Sequence, residues 1–229
     1  MKIGILGAGQ LGRMMAISGY PLNHQFGFSG HSNDEPSALL GHMFALENNA
    51  DNIESLAAFA DVITYESENT DVEIVRELNK DIPVYPGEKS LFTTQHRGRE
   101  KALFDKLNIP CAPYKMVNTL NDLRQAVSQI GLPAILKTAT EGYDGKGQFL
   151  MRSEDQLQEA FDSRNGVESI LEGFVNFKRE LSLIAVRGID DDHKYYPLVE
   201  NTHHDGILRL TIAPAQAIDP KVQKIAEHY

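Results

Sequence analysis

The chain has 229 residues, is 41% hydrophobic and 24% charged, and carries a formal net charge of −10. That length supports a sizeable core, and the acidic balance excludes a non-specific grip on nucleic-acid backbones. A single cysteine, Cys111, excludes an internal disulfide framework and a cysteine-rich zinc centre.

The predicted elements run as follows. Lys2–Leu6 reads as a short buried strand, Gly7–Gly12 as a glycine-rich turn and Arg13–Ser18 as a helix ending near Gly19 and Pro21. The N-terminal run has no signal-peptide architecture, and no uninterrupted apolar stretch is long enough to span a bilayer. No membrane or nucleic-acid partner is expected, and the cytoplasm is the expected compartment. Gln25–Phe28 and Val62–Tyr65 read as strands, Leu56–Ala60 and Val72–Asn79 as helices, and Val84–Tyr85 as a fourth strand. Strands alternating with helices predict a parallel sheet covered on its faces. Thr94–Leu107 then reads as one long charged helix with Arg97, Arg99, Lys101 and Lys106, and Ile109–Pro113 breaks it at a domain junction.

Beyond the junction Leu120–Ile130 is predicted helical, and Ala134–Thr138 is a strand ending in Lys137. The loop Glu141–Gly147 carries three glycines and Lys146, and Gln148–Met151 resumes as a strand. Asp155–Phe161 follows as a helix, with Ser169–Glu172, Glu180–Val186, Tyr195–Val199 and Leu208–Ile212 as strands. Pro220–His228 closes the chain as a polar helix. There is no internal repeat.

Two glycine loops carry chemical information. Gly7, Gly9 and Gly12 match the G-x-G-x-x-G spacing after a strand, where backbone amides and a helix N-terminus favour phosphate. A dinucleotide site also needs an acid at the end of the second strand. Here that position falls near Ser29-Gly30, and the nearest acid, Asp34, lies several residues on. Three readings stay open: an incomplete dinucleotide site, a plain strand–helix turn, and a loop facing another phosphorylated substrate. The second loop follows Lys137 in a strand–loop–strand arrangement. It lacks the G-x-x-x-x-G-K-[ST] signature of a P-loop and suits a glycine hairpin laid over phosphates, with Lys137 as a point charge. Taken singly, an edge-strand lysine and a long hairpin account for these features equally well. What raises them is order: Lys137, the loop, then Glu172-Gly173-Phe174-Val175 as an extended link able to meet an adenine edge, then Glu180 at a strand head facing ribose hydroxyls.

The segments Gly7–Arg13, Asp61–Asn69, Gly142–Gln148 and His203–Arg209 together resemble the N5-carboxyaminoimidazole ribonucleotide synthetase family of the ATP-grasp superfamily, in order and over essentially the whole chain. The resemblance implies an α/β ATP-grasp fold. Its parts would be an N-terminal Rossmann-like parallel-sheet domain (1–93), a helical connector (94–112), a small α+β lid domain (113–178) and the start of a third, incomplete domain (179–229). It implies an ATP-dependent ligase that uses bicarbonate and 5-aminoimidazole ribonucleotide, through carboxyphosphate, in purine biosynthesis. It also implies a homodimer. Arg97 and Lys137 match the phosphate-contacting cations. Gly142, Tyr143, Asp144, Gly145, Lys146, Gly147 and Gln148 match the loop closing over the phosphates. Glu172, Gly173, Phe174 and Val175 match the adenine hinge, Glu180 the ribose acceptor and His203 a further nucleotide residue. Gln10, Leu11 and Glu66, with Tyr143, Asp144 and Lys146, fall at the ribonucleotide and bicarbonate sites, the last three as the catalytic group. Magnesium is implied for the complete enzyme, but its ligands have no candidates after Glu200, so this piece is expected to be catalytically inactive.

Two departures stand out. Ser67 replaces the family's usual Phe between two glutamates, and Gln95–Lys101 replaces an Asp-Arg-Leu run, with Gly98 costing a helix about 1 kcal/mol against Ala. Competing readings are a formate-dependent glycinamide ribonucleotide transformylase, a non-catalytic nucleotide-binding module, and a Rossmann oxidoreductase.

Overall fold

The computed structural model describes residues 1–45, 50–142, 147–204 and 206–229. Its contacts divide the chain into two compact units, Met1–Glu100 and Lys101–Tyr229.

The first unit is built from β1 (Lys2–Leu6), α1 (Gln10–Gly19), β2 (Gln25–Gly30), β3 (His42–Ala45), α2 (Ala50–Phe59), β4 (Val62–Tyr65), α3 (Val72–Leu78) and α4 (Glu88–Thr94). Its sheet has the order β3-β2-β1-β4, and every pairing is parallel. Such a sheet is apolar on both faces, since helices cover both. On one face Ile5, Phe26 and Phe28 pack with Ala8 and Ala16. On the other Leu6 and Ile63 pack with Leu56, Val75, Leu78 and Leu91. Ile5, Phe28, Leu56, Ile63 and Leu91 are fully buried, each contributing roughly 1.5–3 kcal/mol of apolar transfer.

Three expectations change here. β3 extends the sheet beyond β2, at a polar start (Gly41-His42) that shows no period in the sequence. Val84–Tyr85 is not a strand. It makes one parallel bridge to Ile63, and the flanking Pro83 and Pro86 lack the N–H groups needed to extend it. The long helix predicted from Thr94 is two helices, α4 and α5 (Arg97–Leu107). The break has a cause: the Gln95 amide donates to Thr70 O, and His96 Nδ1 accepts the N–H groups of Gly98 and Arg99, at 3.1 and 3.3 Å. The imidazole thus serves the orphan amides at the start of α5.

The second unit contains β5 (Tyr114–Val117), α6 (Leu120–Ile130), β6 (Ala134–Thr138), β7 (Gln148–Met151), α7 (Leu157–Ser163) and β8 (Ser169–Gly173). The sheet order β5-β8-β6-β7 is antiparallel throughout. α6 begins with a capping box in which Thr119 and Asp122 satisfy each other's backbone amides. Leu123, Ala126, Val127 and Ala160 of the helices bury Val117, Leu136, Met151 and Leu171 of the sheet.

Then come β9 (Glu180–Ser182), β10 (Ala185–Arg187), β11 (His193–Tyr195), β12 (Val199–His204), β13 (Ile207–Ile212) and α8 (Pro220–His228). The predicted strand Glu180–Val186 is two strands in different sheets: β9 joins the order β13-β12-β9, and β10 pairs with β11 alone. The predicted strand Tyr195–Val199 is likewise divided, around Pro197, which has no N–H for a ladder.

Candidate functional site

In the first unit the glycine loop is already occupied by a protein carboxylate. Glu66 follows β4, and its Oε2 accepts the Gly9 N–H at 2.7 Å while Oε1 accepts the Leu11 N–H at 3.0 Å. Gly7 has φ of +116°. A Cβ on Gly7 or Gly9 would lie 2.6 or 2.5 Å from a Glu66 oxygen, so both positions need glycine to admit the acid. A phosphate on the same amides would meet this negative charge at contact distance. That removes the dinucleotide reading, and with it any phosphate seated directly on this turn. Ser37 secures the loop from behind, its hydroxyl donating to Gly9 O at 3.0 Å.

Beside the loop a cleft of about 320 Å³ opens, lined by Leu6, Gly7, Ser29, His31, Glu66 and Thr70 among others. It lies at the carboxyl ends of β1, β2 and β4, where the strand order reverses, the usual place for a ligand in an open parallel sheet. The Ser29 hydroxyl is buried there and has no hydrogen-bond partner among the described residues. Gln10, the first residue of α1, is exposed.

In the second unit, alternation along β6 and β8 turns Leu136 and Leu171 toward the helices and their neighbours Lys137 and Glu172 to the opposite face. Register places Lys137 opposite Ile170, so Glu172 is its diagonal neighbour on the same face. The pair closes at 2.7 Å from Lys137 Nζ to Glu172 Oε2, with side chains 19% and 10% exposed. Lys101, in α5, reaches Glu172 Oε1 at 3.6 Å and is 14% exposed. Sequence reasoning missed Lys101 as a site residue; its only signal was spacing, one helical turn after Arg97. Arg97 itself is the first residue of α5 and belongs to the first unit.

The β6–β7 connection is tied at its base, where Thr138 N donates to Gly147 O at 2.9 Å. Gly147 has φ of +69°, and a Cβ there would lie 2.7 Å from Thr138 Oγ1. Gln148 pairs with Lys137 across the ladder. Tyr143, Asp144, Gly145 and Lys146 lie outside the described residues, while Gly142 lies inside them.

The expected link Glu172–Val175 begins inside β8, which ends at Gly173, and its residues divide their roles. Glu172 commits its side chain to lysine, the Gly173 N–H donates to Pro113 O at 2.8 Å and the Phe174 N–H to Pro133 O at 3.1 Å. Among the described residues nothing engages the Val175 N–H, and both Phe174 and Val175 are exposed. In the neighbouring sheet, His203 Nδ1 lies 3.1 Å from Glu180 Oε1 across β12 and β9, just past a bulge between Thr202 and His203. The structure thus brings together Lys137 with Glu172, Glu180 with His203, and Leu11 with Glu66. Among the described residues no group of three or more His, Cys, Asp or Glu side chains is placed to hold a metal ion. No described helix is long and apolar enough to cross a membrane.

The ATP-grasp domain family matches residues 102–229, and the ribonucleotide synthetase preATP-grasp domain matches residues 1–95. The N5-carboxyaminoimidazole ribonucleotide synthase of Pseudomonas aeruginosa is 44% identical over 230 residues, covering 100% of this chain and 63% of that protein. The crystal structure of N5-carboxyaminoimidazole ribonucleotide synthetase from Thermus thermophilus superimposes with a TM-score of 0.91 at 43% identity, covering 99% of this chain and 62% of that one. An N5-carboxyaminoimidazole synthase from Aspergillus clavatus, solved in complex with ADP and 5-aminoimidazole ribonucleotide, superimposes with a TM-score of 0.88 at 29% identity, covering 99% and 60%. The chain therefore spans less than two thirds of the length of these relatives.

Proposed function

Because the chain belongs to the ATP-grasp family, we propose that it supplies the nucleotide grip of an ATP-dependent N5-carboxyaminoimidazole ribonucleotide synthetase. The observation that carries this reading is the Lys137–Glu172 pair on the face of the second unit's sheet opposite α6 and α7, with Lys137 on the first strand of a glycine-tied hairpin.

Lys137 is a cation held ready on a rigid strand, suited to the α- and β-phosphates. Arg97 is the second phosphate cation of this reading. Gly142–Gln148, including Tyr143, Asp144, Gly145 and Lys146, closes over the triphosphate and keeps water from it. Val175 offers its N–H to the adenine edge, and the exposed Phe174 lies beside it. Glu180 accepts the ribose hydroxyls while His203 fixes its orientation. Within the four-residue hinge the Gly173 and Phe174 amides already donate to Pro113 O and Pro133 O, which leaves the Val175 N–H for the base.

In the complete protein the γ-phosphoryl group passes from ATP to a bicarbonate oxygen, giving ADP and carboxyphosphate. The exocyclic amine of 5-aminoimidazole ribonucleotide attacks the carboxyl carbon, or carbon dioxide released from it. Inorganic phosphate leaves, and the amine proton passes to a base. Tyr143, Asp144 and Lys146 are the catalytic group of this reading. Glu66, flanked by Gln10 and Leu11, puts a carboxylate beside the switch-point cleft, which suits the amine and imidazole end of the substrate and not its phosphate. Magnesium accompanies the triphosphate and has no assigned ligand in this chain. The finer division into 1–93, 94–112, 113–178 and 179–229, a homodimer and a cytoplasmic location belong to the same reading.

Calorimetric titration with ATP tests it. Wild type is expected to bind and Lys137→Met to lose binding while melting normally, because Glu172 retains Lys101. Equal binding by both removes Lys137 from the site. Turnover of the complete protein with bicarbonate and 5-aminoimidazole ribonucleotide, against formate and glycinamide ribonucleotide, separates the two ligase chemistries.

A further inference from the structure

Glu172 stands between two lysines at unequal distances. Lys137 Nζ hydrogen-bonds its Oε2 at 2.7 Å, whereas Lys101 Nζ lies 3.6 Å from Oε1. The first is a charge-assisted hydrogen bond, the second an ion pair with room to close. All three side chains are largely shielded from water, at 10–19% exposure. In such surroundings a carboxylate does not readily release a cation. A lysine that must turn to phosphate is therefore compromised by its own partner, unless the partner keeps another cation.

We propose that Lys101 is a positioning residue for nucleotide binding: it holds Glu172, so that Lys137 can leave the carboxylate for the phosphates. The step involves no proton transfer. Two lysines and one carboxylate carry a net charge of +1 before binding. Afterwards Glu172 and Lys101 form a neutral pair, and the charge of Lys137 is spent on the triphosphate. The 3.6 Å separation lets Lys101 close on Glu172 as Lys137 withdraws. This rests on the reading that Lys137 meets phosphate. It assigns to α5 a part in the site that neither a phosphate contact nor a base contact provides.

The test is the ATP dissociation constant, measured by calorimetry with melting temperature alongside. The variants are wild type, Lys101→Met, Lys101→Arg, Glu172→Gln and the double variant Lys101→Met with Glu172→Gln. If Lys137 is released about ten times less often without Lys101 than with it, Lys101→Met raises Kd about tenfold. Lys101→Arg retains the charge and is expected to bind like wild type. In the Glu172→Gln background Lys101→Met is expected to be silent, since no carboxylate is left to hold. That comparison stands even if Lys101→Met alone fails to fold. Unchanged affinity in Lys101→Met, or an equal loss with and without the Glu172 carboxylate, overturns the proposal in favour of a simple tether. Absence of ATP binding by wild type overturns the nucleotide reading itself, and this inference with it.

Discussion

The carboxylate of Glu66 accepts the Gly9 N–H at 2.7 Å and stands 2.5 Å from where a Cβ on Gly9 would be. Acid and glycine therefore require each other. Gly9→Ala is expected to destabilise the first unit by about 1–3 kcal/mol, the usual cost of overpacking. With Glu66→Ala already present, the same substitution costs much less, so the two effects are strongly non-additive. Urea unfolding of the four proteins in this cycle measures it, and an equal cost in both backgrounds rules out the steric account.

Gly147 presents a similar case in the second unit. Its φ of +69° is a left-handed conformation, and Thr138 Oγ1 lies 2.7 Å from the place a methyl group would take. Gly147→Ala is expected to lower stability by about 1–2 kcal/mol from the backbone conformation alone. Adding Thr138→Ala relieves the contact but not the backbone cost, so rescue is partial. Complete rescue, read from melting curves, assigns the whole effect to the contact.

Tyr114 donates its hydroxyl to Asp105 Oδ2 at 2.7 Å. That hydrogen bond, with burial and the nearby negative charges of Asp105 and Cys111, pushes the phenol up from 10.0 to about 12. A folded pKa above the unfolded one gives stability that is fully present below about pH 10 and is lost as pH rises through about 12. Ultraviolet difference titration of wild type against Tyr114→Phe should show one late-ionising tyrosine, and Asp105→Asn should bring it back toward 10.0. A Tyr114 that ionises early in wild type contradicts the pairing.

Two carboxylates govern the acid side. Asp122 is held below the usual carboxylate range by its hydrogen bonds with Thr119, and Glu200 by its two hydrogen bonds from Arg179. Depressed pKa values mean stability present above the unfolded carboxylate range and lost as pH falls through the folded values. Melting temperature measured down the acid limb should therefore fall less steeply in Asp122→Asn and in Glu200→Gln than in wild type. Parallel curves for all three proteins exclude these pairs as the source of acid sensitivity.

Much of the fold was legible because the signals are local. β1 and β4 are short apolar runs bounded by turn residues, and α6 announces itself through Thr119, Asp122 and its apolar stripe. The Glu180–Val186 run shows the limit of such reading. Its alternation marks extended backbone but carries nothing about partners, and the structure divides it between two sheets. The break before α5 depends on a histidine ring acting as acceptor, which no propensity records.

Within the candidate site, residue types and their order along the chain pointed to Lys137, the glycine loop, the link Glu172–Val175 and Glu180. Charge pairing was decided in three dimensions. Glu172 lies 35 residues from Lys137 and becomes its neighbour only through the β6–β8 register, and Lys101 meets the same carboxylate from α5. Gly7-Ala8-Gly9 likewise advertises an anion site, while the fold fills it with Glu66, 57 residues from Gly9. Backbone preference and apolar period are properties of neighbouring residues, so the chain alone determines most of its helices, strands and turns. Electrostatic pairing acts through space at a few ångströms, and distant side chains reach that separation only once the sheets have formed.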